Sequence, residues 1–283
     1  MKFDDIHIRD PFVLADGGKY YLYGSRGAEA WGKCTGLDAY VSDDLDEWSE
    51  AAEVFTPPEN FWSDMHFWAP EVHKYKGEYY MLVSFNSPDR NRGTQILKAS
   101  SPLGPFTVYS DGPVTPPEWS CLDGTLYVEN GVPYMVFCHE WSQVDDGEIC
   151  AVELSKDLKK SVSAPKVLFR ASEPSWSDGY QPGKYVTDGP FMYRTRGGRL
   201  IMIWSSFSKK QYCEAISYSE SGSIFGKWIH ESRLLFEKDG GHGMLFESHE
   251  NELLFIQHMP NTSPDERPRI FSVIEKDDTL FIK

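Results

Sequence analysis

The sequence predicts an all-β protein with a five-bladed β-propeller fold, because one hairpin pattern recurs five times along the chain. Each copy has a short polar turn, a first strand, a Gly-containing turn, and a second strand rich in Tyr, Phe, Met and Leu. The copies begin at Asp10, Ala69, Asp123, Asp188 and His242. Their spacing is roughly 55 to 65 residues, somewhat longer than the period of about 50 that is typical of kelch blades.

The second half of each repeat also has the composition of strands, and it completes a blade. The strand-like segments are residues 38–42, 94–100, 148–154, 215–219 and 269–274. Two strands, a turn and two further strands predict a four-stranded antiparallel blade. No helical pattern of 10 to 15 residues alternates with the strands, which disfavours a parallel α/β fold. Since no linker or low-complexity segment interrupts the repeats, residues 1–283 are predicted to form a single domain.

Composition and charge restrict the classes of partner. The net charge of −15 argues against nucleic acids and anionic membrane surfaces, both of which require basic patches. We expect neither a transmembrane helix nor a secretory signal, because no long apolar run is present. The five cysteines are widely spaced and lack any metal-binding pattern, so we expect them to be reduced and mainly buried. Together these features predict a cytoplasmic protein that acts on a small neutral molecule, and they give no indication of its oligomeric state.

The repeat predicts a ring of chemically active side chains at one mouth of the propeller channel. The innermost strand of each blade runs along the channel, so Asp10, Asp123, Asp188, His242 and the turn that contains Glu71 should meet there. Crowded carboxylates raise at least one pKa. Inverting glycoside hydrolysis uses one protonated carboxyl to protonate the leaving oxygen and one carboxylate to activate water. The alternative is structural: Asp before Pro or Gly often forms turns, and a lone His can simply fill the channel.

The motifs resemble those of glycoside hydrolase family 43, and the resemblance covers essentially the whole chain. In chain order they are Arg9-Asp10-Pro11-Phe12, Trp68-Ala69-Pro70-Glu71-Val72, Leu122-Asp123-Gly124, Thr187-Asp188-Gly189-Pro190-Phe191 and Gly241-His242-Gly243. The resemblance implies a five-bladed β-propeller that hydrolyses α-L-arabinofuranosides or β-D-xylosides by inversion. Each motif alone is modest, whereas five in the right order are specific.

The resemblance also implies roles for individual residues. Asp10 matches the general base, and Asp123 matches the residue that tunes the pKa of the acid and orients the sugar. His242 matches the axial histidine, which in several members holds a calcium or another cation through water. Asp188 stands where the family usually has a glutamate as the general acid, and the missing methylene shortens its reach by about 1.5 Å. Glu140, at the end of the third repeat's second strand, is therefore the alternative acid.

Further residues are expected to bind the sugar. Trp68, with Phe67 or Trp141, would form an apolar wall for a pentose, and Glu71 would orient its neighbours. Arg267 or Arg269 would approach the acid or the sugar from the fifth blade. The predicted function is that of an inverting O-glycosyl hydrolase acting on pentose-containing oligosaccharides. The alternatives are a non-catalytic carbohydrate-binding propeller, favoured by the aspartate at the acid position, and a related glycosidase with galactosidase or endo-acting activity.

Overall fold

The computed structural model describes residues 1–283 and shows five four-stranded antiparallel sheets around a central channel. The predicted fold is thereby confirmed, and each blade is built from consecutive strands. Blade 1 contains β1 (Ile8–Asp16), β2 (Lys19–Arg26), β3 (Leu37–Ser42) and β4 (Ala52–Phe55). Blade 2 contains β5 (Met65–Tyr75), β6 (Glu78–Ser87), β7 (Arg90–Ala99) and β8 (Thr107–Val108). Blade 3 contains β9 (Cys121–Glu129), β10 (Val132–His139), β11 (Glu148–Glu153) and β12 (Lys166–Arg170).

The last two blades complete the ring, and helices are nearly absent. Blade 4 contains β13 (Asp188–Arg194), β14 (Leu200–Ser208), β15 (Gln211–Ser219) and β16 (Trp228–Phe236). Blade 5 contains β17 (Gly241–Glu247), β18 (Leu253–Met259), β19 (Arg267–Lys276) and β20 (Thr279–Ile282). A 3₁₀ turn spans Phe3–Asp5, and the helix α1 (Trp141–Val144) has four residues. Neither approaches the length and apolarity that a helix needs to cross a bilayer.

The first strand of each blade is innermost, and each carries a β-bulge near the mouth of the channel, where these strands begin. One residue of every bulge has a left-handed backbone conformation. These bulge residues are Asp10 (φ 52°), Ala69 (φ 48°), Asp123 (φ 54°), Gly189 (φ 50°) and His242 (φ 52°). A bulge redirects a side chain, and a positive φ costs a non-glycine residue about 1–2 kcal/mol. The same left-handed conformation is thus repeated around the mouth, with backbone strain at the four positions that are not glycine.

In blade 4 the residue equivalent to Asp10 and Asp123 is Gly189, and not Asp188 as the repeat predicted. The bulge residue there is Gly189, whereas Asp188 pairs with Ser205 as the last regular pair before the bulge. The equivalent pairs in the other blades are Arg9 with Ser25, Trp68 with Ser84, Leu122 with Cys138, and Gly241 with His258. Asp188 therefore projects from the position of Arg9 and Trp68, one residue nearer the mouth than Asp10 or Asp123.

Buried polar side chains join the blades at the level of the bulges. In four of the five joints the bulge N–H donates to a side chain from the second strand of the preceding blade. The bonds are Ala69 N to Ser25 Oγ (2.9 Å), Asp123 N to Ser84 Oγ (2.8 Å), His242 N to Ser205 Oγ (2.6 Å) and Asp10 N to His258 Nδ1 (3.2 Å). The last of these closes the ring between blades 5 and 1. Such bonds satisfy backbone donors that the bulges remove from the strand ladder.

Candidate active site

Four of the residues predicted to meet at the mouth do so, in a narrow pit of about 60 Å³ lined by Asp10, Asp123, Asp188, His242 and Tyr212, among others. Asp10, Asp123 and His242 all project from bulges, and this brings their short side chains together. The His242 Nδ1 lies 3.2 Å from Asp10 Oδ1 and 3.7 Å from Asp123 Oδ2. Three carboxyl groups and one imidazole therefore share a single buried space.

Asp10 is surrounded by groups that favour its ionised form. Burial alone would raise the pKa of this carboxyl, but His242, His258, Arg9 and the hydroxyl of Ser25 together hold the pKa below its usual value. The Ser25 Oγ donates to Asp10 Oδ2 at 2.6 Å. A buried carboxylate that remains ionised can accept a proton from water, which is the chemistry of a general base.

Asp188 has the opposite electrostatic environment. Burial raises its pKa to about 7, with a further contribution from the charge of Asp123. Burial and the charge of Asp10 raise the pKa of Asp123 well above its usual value, although the Gly189 N–H donates to Asp123 Oδ2 at 2.9 Å. Asp188 is consequently about half protonated at neutral pH and mainly protonated below it. Two carboxyl groups with pKa values displaced in opposite directions are the arrangement expected of an acid and base pair.

Tyr212, on β15, contacts the acid directly and was not predicted from the sequence. Its hydroxyl donates to Asp188 Oδ2 at 3.0 Å. The hydrogen bond fixes the orientation of the carboxyl and, because it stabilises the ionised form, lowers the pKa of Asp188. Tyr212 lies outside the five motifs and on the third strand of its blade, so the repeat pattern gave no indication of it.

The pH dependence of activity tests this contact. General acid catalysis by Asp188 requires the proton, so kcat/KM should be high below pH 7 and fall as the pH rises through the pKa of about 7. Tyr212→Phe removes a bond to the ionised form, so the falling limb should move to higher pH, and kcat should fall as well. The pH profiles of the wild type and of Tyr212→Phe check this; an alkaline limb at the same pH in both would contradict it.

The pit opens into a wider bowl of about 420 Å³ that is rich in aromatic rings. Six residues line both spaces: Arg9, Trp31, Trp68, Leu122, Asp188 and Tyr212. The residues that line only the bowl are Glu140, Trp141, Tyr180, Val186, Phe207 and Asn261. Asp188 thus lies at the junction of the pit and the bowl, whereas Asp10 lines only the pit.

The rim of the bowl exposes large aromatic surfaces. Trp31 is 59% exposed and Tyr180 is 54% exposed, although both are large apolar side chains. Trp141 packs against Tyr180 with ring centroids 5.6 Å apart. Exposed aromatic rings of this kind are typical of binding sites, where they supply apolar contact area at low entropic cost. Neither Trp31 nor Tyr180 belongs to one of the five motifs.

The side chains of Arg92 and His66 stack on the indole ring of Trp68. The guanidinium carbon of Arg92 lies 3.9 Å from the centroid of the Trp68 ring, and His66 stacks on it with centroids 4.8 Å apart. Arg92 Nη2 is hydrogen-bonded to His66 Nδ1 at 3.1 Å, so both groups cover the same face of the indole. On the side of the bowl, the rings of Trp31 and Trp68 pack edge to face, with centroids 5.2 Å apart.

Arg9 is a further site residue that the sequence did not single out, although it precedes Asp10 directly. Its Nη2 donates to Asn261 Oδ1 at 2.7 Å and its Nη1 to the Asn261 carbonyl at 3.0 Å. The guanidinium also lies 5.2 Å from the ring of Trp31. Arg9 is therefore a fixed positive group at the edge of the pit, held across the joint between blades 1 and 5.

Two of the predicted sugar contacts are not at the site. Phe67 is 1% exposed and packs edge-on against Phe85, with centroids 4.8 Å apart. Neighbouring side chains of a strand point to opposite faces, so with Trp68 facing the bowl Phe67 must face the core. Arg267 donates to the carbonyls of Pro264 and Glu266 and lines neither the pit nor the bowl. Both assignments are corrected here.

Glu140 and Glu71 lie near the site without entering the pit. Glu140 Oε2 accepts from Arg92 Nη1 at 2.8 Å and from Ser120 Oγ at 2.6 Å, and the residue lines only the bowl. Glu71 is buried, contacts His73 at 2.9 Å, and contributes through its charge to the raised pKa of Asp123. Of the two carboxyl groups weighed as the acid, Asp188 is the one that shares the pit with Asp10.

The surroundings of His242 do not provide a set of protein ligands for a metal. No three His, Cys, Asp or Glu side chains have the geometry of a metal site, and Nδ1 of His242 lies 3.2 Å from Oδ1 of Asp10. A cation at the axis would have to be held mainly by water, as the resemblance implies. The axial cation stays a prediction.

Comparison with known proteins shows the family. Residues 5–271 match the profile of glycosyl hydrolases family 43. The chain belongs to this family. It is therefore an O-glycosyl hydrolase, with the five-bladed propeller and the order of motifs described above.

Individual relatives include proteins that act on arabinans. An endo-arabinase from Bacteroides thetaiotaomicron VPI-5482 superposes with a TM-score of 0.91 at 38% identity, covering 98% of each chain. Extracellular endo-alpha-(1->5)-L-arabinanase 1 of Bacillus subtilis (strain 168) is 23% identical over 83% of this chain and 71% of its own. Extracellular exo-alpha-(1->5)-L-arabinofuranosidase ArbA of Cellvibrio japonicus (strain Ueda107) is 22% identical, with coverages of 67% and 56%.

The comparison also corrects the predicted location. The relatives from Bacillus subtilis and Cellvibrio japonicus are both named as extracellular enzymes, so the cytoplasmic prediction is wrong. That prediction depended in part on the cysteines, and all five are free and buried. Buried thiols are protected from oxidation and disulfide exchange, and hence their reduced state does not report the compartment.

Proposed function

We propose that this protein hydrolyses α-L-arabinofuranosidic linkages of arabinan with inversion at the anomeric carbon. The observation that carries the proposal is the pair of carboxyl groups in one pit, Asp10 with a lowered pKa and Asp188 with a pKa raised to about 7. The choice of arabinan is supported by 38% identity, over 98% of the chain, to a protein described as an endo-arabinase.

The positions of the two carboxyl groups suggest where the cleaved bond lies. The sugar that is attacked enters the pit, and the leaving part of the chain occupies the bowl, because Asp188 lies at the junction between them. Aromatic rings of the bowl would contact the apolar faces of the leaving sugars. Trp68 and Trp31 line both spaces and so would contact sugars on both sides of the bond.

The reaction follows from these protonation states. Asp10 removes a proton from a water molecule as the water oxygen attacks the anomeric carbon. Asp188 donates its proton to the glycosidic oxygen on the opposite side, and the carbon–oxygen bond breaks with its electron pair on that oxygen. Asp10 is then protonated and Asp188 ionised, and proton exchange with solvent restores both. Asp123 takes no proton from the substrate; when it is ionised, its charge favours the protonated form of Asp188.

A substrate panel tests the proposal. Linear arabinan, xylan, and the p-nitrophenyl α-L-arabinofuranoside, β-D-xyloside and β-D-galactoside should be compared at equal enzyme concentration. We expect turnover of arabinan and of the aryl arabinofuranoside. Turnover of the xyloside or the galactoside without the arabinofuranoside would contradict the substrate assignment. Binding of arabinan with no turnover of any substrate would favour the non-catalytic propeller.

Glu140→Gln provides the matched test of the acid. Because Glu140 lies in the bowl and is held by Arg92 and Ser120, we expect this variant to retain kcat on arabinan, whose leaving group needs protonation. If Glu140→Gln loses kcat on arabinan but keeps activity on the aryl arabinofuranoside, while Asp188→Asn does not show this difference, the acid is Glu140.

A further inference from the structure

We propose that a second cavity, on the same face of the propeller as the pit, binds a distal stretch of the arabinan chain whose cleaved linkage lies in the pit. This inference rests on the proposed function. The distal cavity has a volume of about 540 Å³ and is formed by the β6–β7 hairpin together with the segment 113–117. It lies outside the pit and the bowl, and no step of the hydrolysis uses it.

The cavity exists because the outer edge of blade 2 is incomplete. The strand β8 has only two residues, and the chain beyond it runs back along β7, where Val114 N donates to the Thr94 carbonyl at 2.8 Å. Pro113, Pro116 and Pro117 have no N–H with which to extend this pairing. The chain therefore separates from the sheet near the β6–β7 hairpin, and the space between them remains open.

The cavity opens on the same face as the pit. The strand β6 runs toward the mouth, since Ser84 accepts from the N–H of Asp123 in the pit, and the β6–β7 hairpin follows three residues later. Arg92 connects the two sites: it lines the distal cavity, while its guanidinium lies on Trp68 and bonds Glu140 in the bowl. Arg92 thus lies between residues of the bowl and the distal cavity, and a chain that leaves the bowl on this side would reach the cavity next.

The lining suits a neutral chain rich in hydroxyl groups. It has no large hydrophobic side chain and consists mainly of proline rings and polar groups. Proline rings present C–H faces to the C–H faces of sugars, and Arg90, Asn91 and Thr115 can bond hydroxyls. Asp89 offsets part of the positive charge of the arginines, and the net charge of −15 disfavours a polyanionic glycan.

Arg92 has hydrogen-bonding capacity that the protein does not use. The residue is 7% exposed, and its Nε has no hydrogen-bond partner. An unpaired buried donor is unfavourable, and native structures rarely leave one without a reason. A ligand hydroxyl that reaches Arg92 Nε from the distal cavity would satisfy this donor.

Arg90→Ala tests the site, with Arg196→Ala as the matched control. Both arginines are exposed and line cavities, but Arg196 follows β13 at the end of the propeller remote from the mouth. Binding of linear arabinan is measured in an Asp10→Asn background, so that no cleavage occurs. We expect Arg90→Ala to raise the dissociation constant for arabinan about tenfold, and Arg196→Ala to leave it unchanged.

Kinetics on the active protein complete the test. Arg90→Ala should raise KM for arabinan by a similar factor, with kcat/KM for p-nitrophenyl α-L-arabinofuranoside unchanged, because the small substrate does not reach the cavity. Equal arabinan binding by Arg90→Ala and Arg196→Ala would overturn the inference, as would an equal loss on the small substrate. The proposed function fails separately, if the wild type cleaves neither arabinan nor the aryl arabinofuranoside.

Discussion

Replacing Asp10 or Asp188 by asparagine is expected to abolish cleavage of arabinan, but the two variants should differ on substrates with a good leaving group. Asn at position 10 cannot accept a proton from water, so Asp10→Asn should lose activity on every substrate by about 10²–10⁴-fold or more. Asn is isosteric with Asp, and the folded structure should be retained in both variants.

The effect of Asp188→Asn on two substrates distinguishes the role of the acid from that of the base. p-Nitrophenolate leaves without protonation far more readily than a sugar alkoxide does. We therefore expect Asp188→Asn to lose about 10²–10⁴-fold in kcat/KM on arabinan and much less on p-nitrophenyl α-L-arabinofuranoside. Its remaining activity should also lack the alkaline limb near pH 7 that the raised pKa of Asp188 gives the wild type. Equal losses on both substrates, with the limb retained, would show that Asp188 is not the acid.

Gly189→Ala should both destabilise the fold and disturb the catalytic groups. A Cβ at this position would lie 2.8 Å from the ring of His242 and 3.0 Å from its Cα, on a backbone with φ of 50°. Steric overlap costs about 1–3 kcal/mol and the backbone strain about 1–2 kcal/mol more. We expect a fall in Tm of roughly 5–15 °C, measured by calorimetry or circular dichroism.

Activity should fall as well, because His242 contacts both Asp10 and Asp123. A displacement of about 1 Å in a catalytic constellation can cost on the order of 10²-fold in rate. Gly77→Ala is the matched control: Gly77 also has a positive φ, but nothing lies within 4 Å of its added Cβ. Gly77→Ala should lower Tm by only a few degrees and leave kcat/KM unchanged. Similar effects of the two substitutions would mean that the contact with His242 is unimportant.

The sequence predicted the blades well because each one is specified locally. Every hairpin has its own turn and its own pair of apolar strands, so five repeats are enough to predict the architecture without knowledge of long-range contacts. The clustering of Asp10, Asp123 and His242 followed from the same reasoning, since equivalent positions of a propeller meet at one mouth, and Asp188 joins them from the adjacent position.

Two of the errors, at Asp188 and at Phe67, arose where a shift of one residue along a strand changes which side chain faces the site. Asp123-Gly124 and Asp188-Gly189 are the same dipeptide, yet the left-handed residue is the aspartate in blade 3 and the glycine in blade 4. Phe67 and Trp68 are adjacent, and a shift of one residue exchanges the core face and the site face of a strand. Register of this kind depends on pairing with the second strand, which the pattern of apolar residues alone does not define.

Other site residues come from parts of the chain that no repeat position identifies. Trp31 and Tyr180 lie in loops, and Tyr212 lies on a third strand. Their positions at the bowl depend on how separate blades pack together. Only the assembled structure brings Tyr212 to Asp188 or Arg9 to Asn261.

The stereochemistry of the first product tests the central claim most directly. Proton NMR of p-nitrophenyl α-L-arabinofuranoside hydrolysis, recorded within the first turnovers and before mutarotation, distinguishes the two anomers of the released arabinose. If Asp10 activates water while Asp188 protonates the leaving oxygen, β-L-arabinofuranose appears first. If the α anomer appears first, one of these carboxyl groups acts as a nucleophile, and the assignment of Asp10 as a general base is wrong.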